Sequence, residues 1–185
     1  MINCYDFDGT IYDGDSSVDF YKYCLKRNKK VLLSLPNQIL GVILYIFKII
    51  DKTKFKEKVF SFLKYIDNID NYIKDFWDIH LANIKKWYLE QQESSDLIIS
   101  ASPEFLLKPL EKKMKFKVIA SKVDKKTGKF LLKNCHDYEK VRRLDEAYPN
   151  TKINKFYSDS YADKPLMDIA KEAFLVKKNE LIKID

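Results

Sequence analysis

Two changes of periodicity constrain the fold of this chain more than any other feature. Residues 2–7 form a short strand-like run that ends in Asp6-Phe7-Asp8-Gly9-Thr10. From residue 16 to about 88, apolar and aromatic residues recur at helical spacing: Val18, Tyr21 and Leu25, then Phe55, Val59 and Phe62, then Ile73, Phe76, Trp77 and His80. Breaks rich in Asp, Asn and Lys divide this stretch into about four predicted helices. After Asp96 short apolar runs alternate with helical segments. Strands are predicted at 97–99, 117–120, 155–158 and 173–176, and helices over 104–114, 138–148 and 165–171. A turn at 125–129 is predicted to have 130–132 as its return arm. This order predicts an α/β fold, a Rossmann-like parallel sheet with helices on both faces. The first strand is cut off from its sheet partners by the helical stretch. The insertion is therefore expected above the carboxyl ends of the strands, where open α/β sheets bind ligands. The predicted division is a core of residues 1–14 and 90–185, with 15–89 as an all-helical insertion.

Composition narrows the class. The 185 residues are 46% hydrophobic and 33% charged, with four glycines, which excludes a disordered or low-complexity chain. Cys4, Cys24 and Cys135 are widely spaced and form no CxxC pair, so neither a disulfide scaffold nor a zinc finger is expected. With no basic-then-apolar leader at the start, a cytoplasmic location is expected. Residues 31–50 are strongly apolar but are interrupted by Pro36-Asn37-Gln38 and carry Lys48. A transmembrane span is not expected there, and residues 39–50 are read as the buried centre of the helical insertion. The net charge of +7 admits anionic ligands. It also motivates a non-enzymatic alternative, a nucleic-acid-binding protein, against which stands the reading of the lysines as dispersed among acids.

Four short motifs fall at or near the predicted strand ends. In Asp6-Phe7-Asp8-Gly9-Thr10, two carboxylates two residues apart reach one site once the strand opens into a loop, and they need a cation or a shared proton. A hard divalent ion such as Mg²⁺ suits such oxygen ligands when phosphate is present. Ser100-Ala101-Ser102-Pro103 offers a hydroxyl and free N–H groups to an anion, with Ser102 read as a helix N-cap. Lys140 is a candidate to neutralise phosphate and carboxylate together, with Lys133 as a weaker competitor. Asp159 and Asp163 follow the strand at 155–158. Of the two histidines, His80 is read as packing and His136 as loop surface.

Taken together, these motifs resemble the haloacid dehalogenase (HAD) superfamily of phosphohydrolases. DFDGT is similar to its first motif, the serine of ISAS to the second, Lys140 to the third and DSYAD to the fourth. The runs KTGKF, NC..YEKVRRL and YSDS..DKPLM resemble the subfamily that contains phosphoserine phosphatase, with a helical cap between the first and second motifs. The resemblance implies Asp6 as nucleophile and Asp8 as general acid and base. It implies phosphate binding by Ser100, the Ala101 N–H and Lys140, with Thr10 and Asp163 in support. It also implies Mg²⁺ held by Asp6, the Asp8 carbonyl and Asp159. An acid at position 8 favours an oxygen leaving group over a halide. Asp15 is either a helix-start acid or a group that binds a substrate amine. The chain departs from the family in its short lead into the first motif. It also has His136-Asp137-Tyr138-Glu139 where glycine often precedes the lysine, and Val176-Lys177-Lys178-Asn179 after the last strand. The implied activity is a Mg²⁺-dependent phosphomonoesterase acting on a small phosphorylated metabolite. A phosphatase for lipid-linked phosphate at a membrane surface and a phosphotransferase on the same core are the alternatives.

Overall fold

The computed structural model describes residues 1–184. Strand β1 (Ile2–Tyr5) leads into the helical insertion, formed by α1 (Ser16–Arg27), α2 (Leu35–Ile46), α3 (Lys52–Val59), α4 (Ile69–His80) and α5 (Lys86–Gln91), with 3₁₀ turns between them. The chain then alternates through β2 (Leu97–Pro103), α6 (Glu104–Leu107), α7 (Leu110–Met114), β3 (Lys117–Ser121), α8 (Tyr138–Ala147), β4 (Ile153–Ser158), α9 (Lys164–Met167), β5 (Glu172–Lys177) and β6 (Glu180–Ile184). The sheet order is β3-β2-β1-β4-β5-β6. All neighbours run parallel except β5 and β6, which pair antiparallel. From β1 the chain goes to β2 on one side and later to β4 on the other. The strand order therefore reverses at β1, and a crevice opens between the ends of β1 and β4.

Side-chain alternation along the strands divides the core in two. Tyr5, Ile98, Val118, Tyr157 and Val176 face one side, where they join Phe20, Phe62, Phe76 and Trp77 of the insertion in one cluster. Cys4, Leu97, Ile99, Phe156 and Leu175 face the other side, against Leu144 of α8 and Leu166 and Met167 of α9. The insertion thus shares a continuous core with one face of the sheet. Trp77 pins the two together. Its ring meets Phe7 and Tyr12 edge-on at 6.0 and 5.8 Å, and its indole N–H donates to the Leu106 carbonyl at 2.7 Å. Tyr5, Tyr157 and Phe174 stack in register across β1, β4 and β5, with successive centroids 4.8 Å apart.

The structure corrects several sequence expectations. The single helix expected over 104–114 is two short ones, because Pro109 cannot donate a backbone hydrogen bond. The return arm 130–132 forms only one bridge, Val123 to Phe130. The helix expected over 165–171 ends at Met167. Strand β6 is an addition to the predicted elements; Lys178, at φ 56°, turns the chain back along β5. The clearest correction concerns 39–50. These residues are not the buried centre of the insertion: Ile39, Ile43, Ile46, Phe47 and Ile49 are exposed, and only Gly41 of α2 is buried. α2 packs on α3, with the preceding 3₁₀ turn and Tyr21 of α1 also in contact, and its outer side is exposed.

Candidate active site

The site assembles at the strand-order reversal. Asp6 and Asp8 follow the last residue of β1, and Asp159 and Asp163 follow β4. Lys140 stands in the first turn of α8, is 2% exposed, and joins two of these groups. Its Nζ lies 2.7 Å from Asp6 Oδ1 and 2.7 Å from Asp163 Oδ2. Burial alone would pull its proton off, but the two carboxylates overcome that and hold it protonated. Ser158 Oγ donates to the same Asp163 oxygen at 2.8 Å, so Asp163 orients the lysine and is itself fixed. Lys133, the competitor, is exposed.

Asp8 is held by different partners. The N–H of Ser16, at the start of α1, donates to Oδ1 at 2.6 Å, and Ser102 Oγ donates to Oδ2 at 2.5 Å. Burial and the nearby Asp15 charge push the Asp8 carboxyl above the usual range, and these hydrogen bonds oppose that rise. Asp6 is also pushed up, to about 7, by burial first, with Lys140 pulling against it. The Asp159 carboxyl is likewise raised by burial. Asp159 N–H donates to Thr10 Oγ1 at 2.9 Å, tying the two strand-end loops together. Gly9 makes this close approach possible: at φ 71° it takes a left-handed conformation, and a Cβ there would stand 2.2 Å from Asp159 Oδ2.

Ser100 and Ala101 lie within β2, which runs past the predicted 97–99, and line the same cavity as Asp6 and Asp8. Ser102 does not cap a helix. α6 starts at Glu104 after Pro103, with no side-chain cap, and Ser102 instead contacts Asp8, Ser16 and Ser17. The inward side of β2 places it there, which a reading of the tripeptide before the helix does not reveal. Asp15 caps α1, accepting from the Val18 N–H at 3.0 Å, which is the helix-start reading, and it also lines the cavity. His80 stacks on Phe76 and is packing, as expected; His136 is half-buried. The departure before Lys140 is resolved by Asp137, which takes φ 57° and ψ −135°, a backbone conformation that glycine adopts freely. The lysine is presented from this turn without a glycine.

Two lysines of the insertion were missed. Lys56 of α3 reaches the end of β2, where Nζ donates to the Ala101 carbonyl at 2.9 Å and to Asn134 Oδ1 at 3.2 Å. Burial lowers its pKa to about 8. Lys85 is buried, and its ammonium donates to the carbonyls of Gly9 and Lys178, clamping the first-motif loop to the β5–β6 turn. Nothing marked either one among so many lysines. The cavity has a volume of about 390 Å³. Asp6, Asp8 and the β2 serines form its polar end, and Val18, Tyr21, Phe55, Val59, Phe60 and Phe62 form its walls.

The family model for haloacid dehalogenase-like hydrolases matches residues 4–168. None of the curated proteins compared matches the chain. Among solved structures, a protein of unknown function from Bordetella pertussis Tohama I superposes with a TM-score of 0.70 at 13% identity, covering 93% of this chain and 87% of that one. A phosphoserine phosphohydrolase-like protein from Francisella tularensis subsp. tularensis SCHU S4 superposes at 0.57 with 15% identity, covering 97% and 88%. A HAD family hydrolase from Salmonella enterica subsp. enterica serovar Typhi superposes at 0.61 with 13% identity, covering 91% and 60%. These likenesses show the fold. The order of the strand-end motifs and the match over most of the sequence place this chain in the haloacid dehalogenase-like hydrolase family.

Proposed function

We propose that this hydrolase is a phosphomonoesterase that works through an aspartyl-phosphate on Asp6. The observation that carries the reading is the Asp6–Lys140–Asp163 chain, which fixes one carboxylate oxygen of Asp6 and leaves Oδ2 free as nucleophile. Asp6 Oδ2 attacks phosphorus while the phosphorus–oxygen bond to the leaving alcohol breaks. Asp8, protonated, gives that oxygen its proton. Asp8 then takes a proton from water, whose oxygen attacks phosphorus and releases phosphate and Asp6. Ser100 and the N–H of Ala101 stand at the same end of the cavity to hold the phosphoryl oxygens.

Asp6 and Asp8, both half-buried, the buried Asp163 and the more exposed Asp159 crowd this site, and among the described residues Lys140 is the one cation paired with any of them, through Asp6 and Asp163. Among the described residues no group of three or more His, Cys, Asp or Glu side chains could hold a metal by itself. The donors implied here are fewer and all oxygen: the carboxylates of Asp6 and Asp159 and the main-chain carbonyl of Asp8. The uncompensated charge, and the Gly9 gap that admits Asp159, fit a small divalent cation such as Mg²⁺. When bound, it would neutralise phosphoryl and carboxylate charge. Removing it with a chelator is expected to abolish turnover.

A Mg²⁺-supplemented phosphate-release screen with p-nitrophenyl phosphate and a metabolite panel tests the reading. Wild type should release phosphate and Asp6→Asn should not, a loss of at least about 10³-fold with folding retained. Equal rates for the two would refute the covalent step. The walls of the cavity support an apolar leaving group, in keeping with the lipid-linked alternative.

A further inference from the structure

We propose that the exposed face of α2 is a docking surface for an anionic lipid bilayer, and that the phosphomonoester is drawn from that interface. The second half rests on the phosphatase reading; the first does not. Three observations on different levels converge.

The first is the apolar face. Among the described residues, 22 large hydrophobic side chains are exposed, and half of them fall between Leu32 and Ile49. Ile46 is 68% exposed and Phe47 72%. A contiguous apolar surface of this kind marks an interaction site. The helix is firmly seated from below. A Cβ on Gly41 would stand 2.7 Å from Lys58 Cβ, Gln38 donates to the Val59 carbonyl at 2.8 Å, and Lys58 donates to Asn37 at 3.2 Å. The apolar side therefore points away from the protein because the polar and small residues are used against α3.

The second is charge. Residues 26–64 hold ten Lys and Arg against only Asp51 and Glu57, a balance of +8, so the remainder of the chain is at −1. The lysines are thus not dispersed, as the overall composition had suggested. Lys29 and Lys30 precede α2, and Lys48, Lys52 and Lys54 follow it, all exposed. An apolar helix face between exposed lysines complements anionic headgroups above acyl chains. A second protein copy would carry the same +8 and be repelled.

The third is position. α2 lies one layer behind the active-site cavity. Phe55 lines the cavity and stacks on Tyr45 of α2 at 4.8 Å, and Tyr21, also lining it, donates to Gln38 at 3.2 Å. The proposed membrane face is thus one side chain removed from the apolar wall of the cavity. Residues Lys29–Ile46 are long and apolar enough to cross a membrane by composition. They are nevertheless split between a 3₁₀ turn and a helix of 12 residues, about 18 Å long against a hydrocarbon core of about 30 Å. The segment lies on the surface rather than spanning it.

The test is sedimentation of the full chain with phosphatidylcholine vesicles, with and without phosphatidylglycerol, for wild type and Ile43→Asp/Ile46→Asp. Wild type should pellet with the anionic vesicles and be released by salt. The variant should bind at least about tenfold more weakly while keeping its melting temperature and its rate on soluble p-nitrophenyl phosphate. Both residues are exposed, so the fold should survive; Lys29→Glu/Lys30→Glu gives a second reading by the same loss of binding. Wild type remaining in the supernatant, equal partitioning of wild type and variant, or a dimer that buries this face in solution overturns the docking surface. Vesicles carrying phosphatidate test the substrate half: wild type should release phosphate from them at least about tenfold faster than Ile43→Asp/Ile46→Asp. Release from p-nitrophenyl phosphate but none from phosphatidate overturns that half. No release from either, with binding intact, overturns the phosphatase reading and leaves the docking surface supported.

Discussion

Each carboxylate of the site is tuned by its own neighbours. Asp6 answers to Lys140, whereas Asp8 answers to Ser102 and the start of α1. Ser102 is the sharper probe of this division. Ser102→Ala removes a hydroxyl that holds Asp8 in place and leaves Asp6 and Lys140 untouched. The expected result is a fall in kcat of about tenfold with KM nearly unchanged, checked by steady-state kinetics. An unaltered kcat would mean that Asp8 needs no such support. The acids themselves were legible in the sequence, since the spacing in DFDGT and DSYAD survives without structural context. Ser102 was not. A serine before a proline and a helix reads as a cap, and only the direction of β2 turns it towards Asp8.

α8 shows how an element presents one buried charge. Glu139, the residue before Lys140, accepts from Arg142 at 2.6 Å and from Arg143 at 3.0 Å. Arg143 is itself buried and also donates to the carbonyls of Ala120 and Lys133. Hydrogen bonds from Arg142, then Arg143, hold the Glu139 carboxyl down at about 2. A carboxylate depressed in the fold contributes stability that is present above its ordinary pKa and lost as pH falls towards the folded value. Glu139→Gln should therefore cost about 1–3 kcal/mol at pH 7, and the gap between variant and wild type should close as pH falls from about 4.5 to about 2. Denaturant melts across that range check it; a gap that does not depend on pH would rule out the ionic role. Strands and helices after residue 96 were readable from period and breakers. Strand β6 was not, because it depends on the edge of β5, whereas the fracture of the 104–114 helix follows from the missing donor at Pro109, which the sequence itself carries.

For the molecule as a whole, the shared core decides cooperativity. Trp77, Phe76 and Phe20 of the insertion pack in one cluster with Tyr5, Phe7 and Ile98 of the sheet side, so neither part is expected to melt alone. Unfolding followed by tryptophan fluorescence, which reports the insertion through Trp77 and Trp87, should coincide in midpoint with far-UV circular dichroism. Two separated transitions would show the insertion to be an independent unit. The sequence misled most at this scale: the apolar run at 39–50 was assigned to an interior because hydrophobicity alone does not say which side of a helix has a neighbour. The final consequence follows from the two ends of the cavity. Its polar groups come from the loop after β1 and from β2, whereas most of its walls come from α1, α3 and the turn at Phe60–Tyr65. Inheritance can therefore act on the two separately. A changed Phe55 or Val59 alters which molecule fits without touching a single charge of the reacting cluster, so a lineage built on this scaffold is free to diversify its diet while its chemistry stays fixed.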